Sequence, residues 1–353
     1  MGEQQELYMR RCIQLAKLGA GQVAPNPMVG AVLVYEDRII GEGYHKKYGE
    51  AHAEVNCIAS VKEADRKFIE SSVLYVSLEP CAHYGKTPPC SDLIIRHKIP
   101  TVVIGCRDPF EQVNGKGIEK LKAAGIEVVS GILETESAEL NKRFFTFHTK
   151  KRPYIILKWA QTANKKIASD SNNRLIITNK VTNRVVHKWR SEEAGILVGT
   201  NTIVADDPLL TNRLWTGNNP VRLVVDINLK LTQALKVFNP EAATVIFNGT
   251  KSTIISGMPA VNGTYYYHVN KNQNLPEQIA AGCYRLGIES ILIEGGAKLL
   301  QSFIDVCLLD EARIITNKQM IIEDGLDAPV LHNMHRIHTE TCSPPDEVEF
   351  SYN

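Results

Sequence analysis

The sequence predicts an α/β protein built from two successive domains. Its 353 residues suit about two domains of roughly 100–200 residues each. Both halves alternate strand-like and helix-like runs, which is typical of a largely parallel sheet with helices on its faces. A polar and basic segment ends at Pro153 between the two halves. We therefore expect one domain over residues 1–148 and a second over residues 149–353.

The first half begins with an amphipathic helix and continues as a three-layer α/β domain. Tyr8, Cys12 and Leu15 recur at helical spacing and predict one packed face. Strands are predicted at residues 30–35, 38–43, 73–77, 101–105 and 126–129. The first two form a hairpin around Glu36 and Asp37. Helices are predicted from residue 53, from residue 91, over 117–124 and over 134–147.

The second half repeats this alternation without an internal sequence repeat. Strands are predicted at residues 154–159, 195–199, 221–226, 244–247 and 290–294. Helices are predicted over residues 180–190, near residues 276–286 and from residue 297. The tail after Pro329 shows no clear pattern.

Composition and charge exclude several classes of function. Apolar residues make up 44% and charged residues 22% of the chain, as in ordinary globular proteins. Forty basic and 39 acidic residues give a net charge of +1, without the basic surplus of proteins that bind nucleic-acid backbones. The sequence contains neither an apolar signal core nor a bilayer-spanning run. We expect a cytoplasmic protein with no nucleic-acid or membrane partner.

Cysteines and one histidine predict a metal site. Eight cysteines in a cytoplasmic chain are expected to stay reduced. Cys81 and Cys90 bracket a Pro-rich loop, and with His52 they offer one imidazole and two thiolates. This set suits a catalytic zinc, because tetrahedral coordination leaves a fourth position for water. The remaining cysteines are expected to be packing residues: Cys12, Cys57, Cys106, Cys283, Cys307 and Cys342.

Glu54 is the predicted proton carrier of this site. It follows His52 by two residues, and Pro80 precedes Cys81, as in the H-x-E and P-C elements of zinc base deaminases. In that role Glu54 takes a proton from water and passes it to the ring nitrogen and the departing amine. Eight residues separate the two cysteines, whereas the general signature has two.

Longer strings resemble one family. Residues 25–32 (PNPMVGAV), 41–45 (GEGYH), 52–55 (HAEV) and 78–90 (LEPCAHYGKTPPC) are similar to the bifunctional riboflavin-biosynthesis family, a fused pyrimidine deaminase and reductase. In that family the wide cysteine loop is normal. The resemblance implies an N-terminal cytidine-deaminase-like three-layer α/β/α domain and a C-terminal dihydrofolate-reductase-like α/β domain.

The implied chemistry has two steps. Zinc-dependent hydrolysis removes the 2-amino group of 2,5-diamino-6-(5-phosphoribosylamino)pyrimidin-4-one. NADPH then reduces the ribosyl group of 5-amino-6-(5-phosphoribosylamino)uracil to ribityl. The implied cofactors are therefore Zn²⁺ and NADPH, and the partner is a small phosphorylated pyrimidine. We also expect a homo-oligomer.

The resemblance carries site residues over one at a time. Residues 158–162 (KWAQT), 198–211 (VGTNTIVADDPLLT) and 291–297 (ILIEGGA) are the matching reductase strings. Implied substrate contacts in the deaminase are Asn26, His45, His83 and Lys86. Implied substrate contacts in the reductase are Arg190, Leu210, Arg213 and Glu294. Implied NADP contacts are Ala160, Thr202, Asp206, Gly296, Ala297, Lys298, Leu299, Leu300, Gln301 and Ser302.

Four positions depart from the family pattern, and two alternatives remain open. Asn164 and Lys165 stand where Asp and Gly are common, Ile176 stands where Trp is often found, and Phe110 replaces a frequent Asn. The first alternative keeps the deaminase, with a C-terminal nucleotide-binding or regulatory module that lacks reductase activity. The second alternative is a deaminase of nucleic-acid bases, which the near-zero net charge disfavours.

Overall fold

The computed structural model describes residues 2–84, 88–169, 175–258 and 261–352. The chain divides into two compact units, Met1–Lys150 and Lys151–Asn353. Among the described residues, no helix combines the length and the apolar character needed to cross a membrane.

A five-stranded sheet forms the centre of the first unit. Its strands are β1 (Gly30–Tyr35), β2 (Arg38–Tyr44), β3 (Val73–Leu78), β4 (Thr101–Cys106) and β5 (Glu127–Ser130). They lie in the order β2-β1-β3-β4-β5. β1 runs antiparallel to β2 and β3, whereas β3, β4 and β5 are parallel. The predicted hairpin is confirmed, and both turn residues, Glu36 and Asp37, have positive φ angles, as tight two-residue hairpin turns require.

Helices cover both faces of this sheet. They are α1 (Gly2–Ala16), α2 (Ala53–Ala59), α3 (Cys90–Arg96), α4 (Lys116–Ala123), α5 (Glu134–Leu140) and α6 (Lys142–Lys150). On one face α1 buries Met9 and Cys12 against Val32. On the other, α2 buries Cys57 against a cluster that includes Leu33. Alternate residues of β1 therefore belong to two separate cores, as the pleat dictates, and the predicted three-layer unit is confirmed.

One predicted helix is wrong in extent. The amphipathic stretch over residues 134–147 forms two helices, α5 and α6, which are separated at Asn141. The Asn141 side chain accepts a hydrogen bond from the Met28 N–H at 2.8 Å and donates one to the Met28 carbonyl at 2.9 Å. Its buried amide thus pairs a distant backbone segment at the point where the helix is interrupted.

A nine-stranded sheet forms the centre of the second unit. The strands of this unit are β6 (Tyr154–Thr162), β7 (Lys166–Ser169), β8 (Gly195–Gly199), β9 (Val221–Val225), β10 (Thr244–Asn248), β11 (Thr264–His268), β12 (Ser290–Glu294), β13 (Glu311–Asn317), β14 (Gly325–Asp327), β15 (His335–Ser343) and β16 (Asp346–Tyr352). The sheet order is β11-β10-β9-β8-β12-β6-β13-β16-β15, and β7 pairs separately with β14. Strands from β11 to β13 are parallel, and β16 and β15 extend the sheet in antiparallel fashion.

In the described part of the second unit, the α-helices are α7 (Lys180–Glu192), α8 (Thr200–Asp206), α9 (Leu275–Arg285) and α10 (Ala297–Asp305). α9 and α10 bury Ile279, Cys283 and Phe303 against one face of the sheet. α7 buries Val186 and Trp189 in a separate cluster. The predicted α/β unit is thus confirmed, although α8, β7, β11 and every strand after β12 went unpredicted.

The tail after Pro329 holds helix α7 in place. Asn179 caps α7 by accepting hydrogen bonds from Val181 N and Thr182 N. The Asn179 N–H donates to Asp346 Oδ2 at 2.8 Å, and its side-chain amide donates to the Ser343 carbonyl at 2.9 Å. The β15–β16 hairpin therefore fixes the start of a helix that carries a predicted site residue, Arg190.

The six cysteines outside the predicted metal site have different surroundings. Cys12, Cys57, Cys106 and Cys283 are buried, as predicted, and Cys342 is half-buried. The packing prediction is wrong for Cys307, which is exposed. This residue lies two positions beyond the end of α10, with φ of 52°, and so is not part of the helix that buries Phe303 and Ile304.

Candidate active sites

Three potential metal ligands converge in the first unit. The ligand atoms of His52, Cys81 and Cys90 all lie within 4.8 Å of one another. His52 Nδ1 is 3.7 Å from Cys81 Sγ and 3.4 Å from Cys90 Sγ. His52 directly precedes α2, Cys90 begins α3, and Cys81 follows the end of β3. Nitrogen and sulfur donors at this spacing fit a tetrahedral zinc with one open position.

Electrostatics prepare this cluster for a cation. Cys90 and His52 lower the pKa of Cys81 through hydrogen bonds to its sulfur, and the Cys90 N–H also donates to Cys81 Sγ at 3.3 Å. The hydrogen bond to Cys81 raises the pKa of His52. A thiolate stabilised in this way is the form that binds metal.

Glu54 lies beside the cluster in the first turn of α2 and is 3% exposed. Burial raises the pKa of its carboxyl group, and the nearby Cys81 acts in the same direction. A carboxyl group whose pKa is raised holds a proton more readily than an ordinary carboxyl group and can both accept and release one. Its position and chemistry match those of a proton carrier.

Asn26 and His45 form a polar pair next to the cluster. Asn26 Nδ2 donates to His45 Nε2 at 3.2 Å, while His45 Nδ1 donates to the Ala51 carbonyl at 3.1 Å. Burial lowers the pKa of His45, so its ring is neutral near pH 7. The His45 and His52 ring centroids are 5.2 Å apart. The predicted substrate residues Asn26 and His45 therefore share one wall with a predicted metal ligand.

The Pro-rich loop carries two further predicted residues. The His83 ring packs edge-on to Phe110 at 5.9 Å, and Phe110 lies 4.8 Å from the His148 ring. Phe110, one of the departures from the family pattern, thus takes part in a small aromatic group. Lys86 lies outside the described residues.

Two buried acids near this site were not nominated from the sequence. Asp108 is 6% exposed, and burial raises its pKa to about 7. Glu79 is 3% exposed and sits two residues before Cys81. Its carboxylate accepts backbone hydrogen bonds from Asp108 at 3.3 Å, Gly115 at 3.0 Å, Gly117 at 3.0 Å and Ile118 at 3.3 Å. Glu79 thereby ties residues 108–118 to the end of β3.

A second constellation lies at the carboxyl ends of parallel strands in the other unit, where α/β sheets usually bind ligands. Glu294 ends β12 and is aligned with Lys158 on β6. Arg190 Nε and Nη2 each donate to the Glu294 carboxylate at 2.8 Å, and Lys158 Nζ donates at 3.4 Å. Lys158 is a site residue that sequence reasoning missed, although it lies within the quoted KWAQT string.

The excess of positive charge in this cluster favours the binding of an anion. Burial opposes ionisation of Glu294, but Arg190 and Lys158 outweigh it and lower its pKa to about 2. One carboxylate therefore faces two cations, and Arg213 adds a third positive charge nearby, as its effect on the pKa of His187 indicates. Guanidinium groups can hold phosphate oxygens in a bidentate manner.

The segment around Leu210 and Arg213 contacts the same cluster. Arg190 Nη1 lies 3.5 Å from the Thr211 carbonyl, and Arg213 Nη1 donates to Thr211 Oγ1 at 3.3 Å. Leu210 has φ of 53°, and its side chain is 3% exposed within the core. Leu210 is therefore buried as a whole residue, whereas Arg213 is exposed.

Thr202 and Gly296 come together at the starts of α8 and α10. The Gly296 N–H donates to Thr202 Oγ1 at 3.1 Å. A Cβ atom at Gly295 or Gly296 would make contacts no shorter than 3.7 Å, and neither residue has a positive φ. The fold itself therefore does not require glycine here. The bare backbone at a helix N-terminus fits the approach of a cofactor phosphate.

The other predicted NADP residues have different environments. Asp206 ends α8, and Ala160 lies on β6 opposite Ile315 of β13. Leu300 is fully buried, Gln301 pairs with the Val330 N–H, and Ser302 donates to the Leu299 carbonyl. These three side chains are engaged within the protein, so a cofactor would meet chiefly the preceding turn, residues 296–299.

Asn164 and Lys165, two of the residues that depart from the family pattern, lie in the turn between β6 and β7. Asn164 Oδ1 accepts a hydrogen bond from Thr162 Oγ1, and its amide donates to the Ile322 carbonyl, both at 2.7 Å. Lys165 has φ of 61°, which explains why glycine would suit this position. Ile176 is 74% exposed. The amide at position 164 is thus fully used in the turn, although it replaces an acid.

Comparison with known proteins matches both units. Residues 2–106 match the family model for the cytidine and deoxycytidylate deaminase zinc-binding region, and residues 153–319 match the RibD C-terminal domain. The chain is 42% identical over 320 residues to riboflavin biosynthesis protein RibD of Aquifex aeolicus, which covers 90% of this chain and 88% of that protein. It is 30% identical over 347 residues to RibD of Escherichia coli, covering 95% and 93% of the two chains.

Solved structures agree over the whole length. The diaminohydroxyphosphoribosylaminopyrimidine deaminase/5-amino-6-(5-phosphoribosylamino)uracil reductase of Thermotoga maritima has a TM-score of 0.85 at 37% identity and covers 99% of both chains. RibD of Acinetobacter baumannii has a TM-score of 0.88 at 29% identity, covering 100% of this chain and 99% of that chain. The predicted fold class, a cytidine-deaminase-like domain followed by a reductase domain, is confirmed.

Proposed function

The chain belongs to the RibD family of riboflavin biosynthesis proteins, and we propose that its two domains act in turn on one phosphorylated pyrimidine. Family membership makes it a bifunctional deaminase and reductase. The proposal assigns deamination to residues 1–148 and reduction to residues 149–353. The two compact units, whose boundary along the sequence falls between residues 150 and 151, support this division.

The first step is hydrolytic deamination. Water adds to the ring carbon of 2,5-diamino-6-(5-phosphoribosylamino)pyrimidin-4-one that bears the 2-amino group, and ammonia leaves. His52, Cys81 and Cys90 would hold the zinc ion, which acidifies water at such a site. Glu54 accepts one proton of the attacking water and delivers it to the ring nitrogen, and it then carries the second proton from the new hydroxyl group to the amine, so that the ring carbon becomes a carbonyl as ammonia leaves. The burial of Glu54 beside this ligand set is the observation that carries the proposal.

Side chains around the ligand set would hold the pyrimidine. Asn26 and His45 are already oriented by their mutual hydrogen bond. His83 and Lys86 belong to the loop between the two cysteines, and a cationic lysine suits the substrate phosphate. Orienting residues of this kind lower the barrier by presenting the reacting carbon to water in one geometry.

The second step reduces the ribosyl group of 5-amino-6-(5-phosphoribosylamino)uracil. NADPH supplies a hydride for this step. Thr202, Asp206 and Ala160, with the turn formed by residues 296–299, would line the cofactor site, and the open backbone at Gly295 and Gly296 supports phosphate binding there. Arg190, Leu210, Arg213 and Glu294 would hold the substrate. The excess of positive charge in this cluster supports recognition of a ribose phosphate.

The reductase is favoured over a regulatory module. Residues 153–319 match the RibD C-terminal domain, and the Thermotoga maritima protein, which is named as both deaminase and reductase, covers 99% of this chain. Cytoplasmic location and a homo-oligomeric state are further parts of the proposal. Sedimentation of the purified protein tests the oligomer, and cell fractionation tests the location.

A single substitution tests the role of Glu54. Glu54→Gln should keep the zinc content of the purified protein and lower the rate of ammonia release by about 100-fold or more, because it removes a proton carrier and no ligand. Glu63→Gln, at an exposed residue of the same unit, is the matched control and should behave as wild type. Ammonia release at the wild-type rate by Glu54→Gln would overturn the assignment.

A further inference from the structure

His187 is a buried histidine to which the proposed reaction gives no role. It lies on α7, is 1% exposed and precedes Arg190 by three residues. Residues three apart on a helix share one face, so His187 and Arg190 leave α7 on the same side. That side faces the segment that contains Thr211 and Arg213.

The imidazole of His187 accepts a hydrogen bond from the backbone of Arg213. The Arg213 N–H donates to His187 Nδ1 at 2.9 Å. An imidazole nitrogen that accepts carries no proton, so the hydrogen of the neutral ring is on Nε2. A protonated ring would place a second hydrogen between the same two nitrogens. The contact therefore exists only while His187 is neutral.

The surroundings of His187 keep it neutral. Burial lowers its pKa to about 4, and the charges of Arg190 and Arg213 act in the same direction, while the carboxylate of Glu294 and a hydrogen bond with the Asn212 side chain act against them. At neutral pH His187 Nδ1 therefore stays unprotonated and accepts the hydrogen bond from the Arg213 N–H. This arrangement suits a fixed structural contact, since a group that changed charge near pH 7 would break it.

The contact acts on a short segment that is anchored at both ends. Leu210 and Thr211 are buried, with 3% and 1% exposure. Beyond them, the Asn212 N–H donates to Asn219 Oδ1 at 2.8 Å and closes the following loop. The Arg213 N–H comes directly after these residues, inside the loop between Asn212 and Asn219, so the His187 contact determines where the Arg213 side chain begins.

We propose that His187 is a positioning residue of the reductase, which sets Arg213 beside Arg190 so that both guanidinium groups bind the substrate phosphate. The proposal rests on the proposed reductase function. Its physical basis is that two cations hold one phosphate well only at a fixed separation. A role in core packing alone would require only the volume of the ring and no acceptor at Nδ1.

Two substitutions separate an acceptor role from a packing role. His187→Asn keeps an acceptor, because Asn Oδ1 is bonded to Cγ as His Nδ1 is, but it removes most of the ring. His187→Phe keeps an aromatic ring and removes the acceptor. If the phenyl ring prevents folding, His187→Leu serves instead as an apolar side chain without an acceptor. Deaminase activity and the fluorescence of the tryptophans, all of which follow residue 150, report that each variant is folded.

We expect His187→Phe to raise KM for 5-amino-6-(5-phosphoribosylamino)uracil by about 10-fold while kcat stays within about 3-fold of wild type. KM for NADPH should not change. His187→Asn should bring the substrate KM back to within about 3-fold of wild type despite the lost volume. Calorimetric titration of the same uracil compound should give the same pattern in Kd.

Two results would overturn the role of His187. One is a wild-type KM and Kd in His187→Phe, and the other is an Asn variant that is impaired as much as Phe. If wild type binds the uracil compound but oxidises no NADPH, the reductase proposal fails separately. The Kd pattern then still decides whether His187 positions Arg213.

Discussion

Replacing Glu294 with Gln should destabilise the second unit, because the carboxylate lies between two cations. Arg190 donates to it twice at 2.8 Å, and Lys158 Nζ is 3.4 Å away. The side chains of Arg190 and Lys158 are each 13% exposed, and that of Glu294 is 11% exposed. Removing the negative charge leaves two largely buried cations near each other without their counter-ion.

The loss in the free energy of unfolding follows from the pKa of Glu294 and from the general cost of breaking a buried ion pair. Burial opposes ionisation of Glu294, yet Arg190 and Lys158 lower its pKa from 4.5 to about 2. One pKa unit corresponds to about 1.4 kcal/mol, so the ionised carboxylate contributes about 3 kcal/mol at neutral pH. Breaking a buried ion pair by removing one partner generally costs about 3–5 kcal/mol. We therefore expect Glu294→Gln to lower the free energy of unfolding by about 3 kcal/mol at pH 7.

The pH dependence follows from the direction of this pKa shift. In the unfolded chain the Glu294 carboxyl group has its ordinary pKa of 4.5, and in the folded chain its pKa is about 2. Its contribution is therefore fully present above pH 4.5 and declines as the pH falls toward 2. The difference in stability between wild type and Glu294→Gln should be smaller at pH 3 than at pH 7.

Tryptophan fluorescence during urea unfolding measures this difference, because Trp159, Trp189 and Trp215 all belong to the second unit. Glu347→Gln is the matched control. Glu347 pairs with Lys318 at 2.9 Å, but the two side chains are 37% and 55% exposed, so the expected change is below about 1 kcal/mol. Equal unfolding midpoints for wild type and Glu294→Gln at pH 7 would refute the reasoning.

Three further predictions concern other parts of the chain. Cys81→Ser should lose zinc and ammonia release but retain NADPH oxidation with the deaminated substrate, and a full zinc content by elemental analysis would contradict the ligand assignment. Thr202→Val should weaken NADPH binding by about 10-fold in a fluorescence titration, because it removes the acceptor for the Gly296 N–H; unchanged affinity would argue against that contact. Lys165→Gly should raise the free energy of unfolding by about 0.5–1 kcal/mol by relieving a left-handed backbone, and reduced stability in urea would contradict this.

The strands that the sequence predicted are those whose side chains follow a simple hydropathy rule. Residues 30–35 (GAVLVY) and the central residues 291–293 (ILI) are apolar runs, and they lie in β1 and β12. β13 was missed because it carries Glu311 and Arg313 inside the protein, with 1% and 5% exposure. These two side chains form an ion pair with each other, and Tyr154 donates to Glu311. Only the partner side chains explain why such a charged segment is buried.

The same distinction holds for the candidate sites. His52, Glu54 and Cys81 could be nominated because they match the H-x-E and P-C elements of zinc deaminases, and Cys90 because it supplies a second thiolate after a Pro-rich loop. Lys158 belongs to a matching string, but its proximity to Glu294 depends on the register between β6 and β12. That register is a tertiary property, which no local pattern in a single sequence records.

The central claim is that one chain deaminates its substrate first and reduces the product second. Stopped assays that follow ammonia and NADPH together test it most directly. With 2,5-diamino-6-(5-phosphoribosylamino)pyrimidin-4-one alone, we expect ammonia to be released without NADPH. NADPH added afterwards should be oxidised in proportion to the ammonia already formed. Oxidation of NADPH ahead of ammonia release, or binding of NADPH without oxidation, would contradict the account.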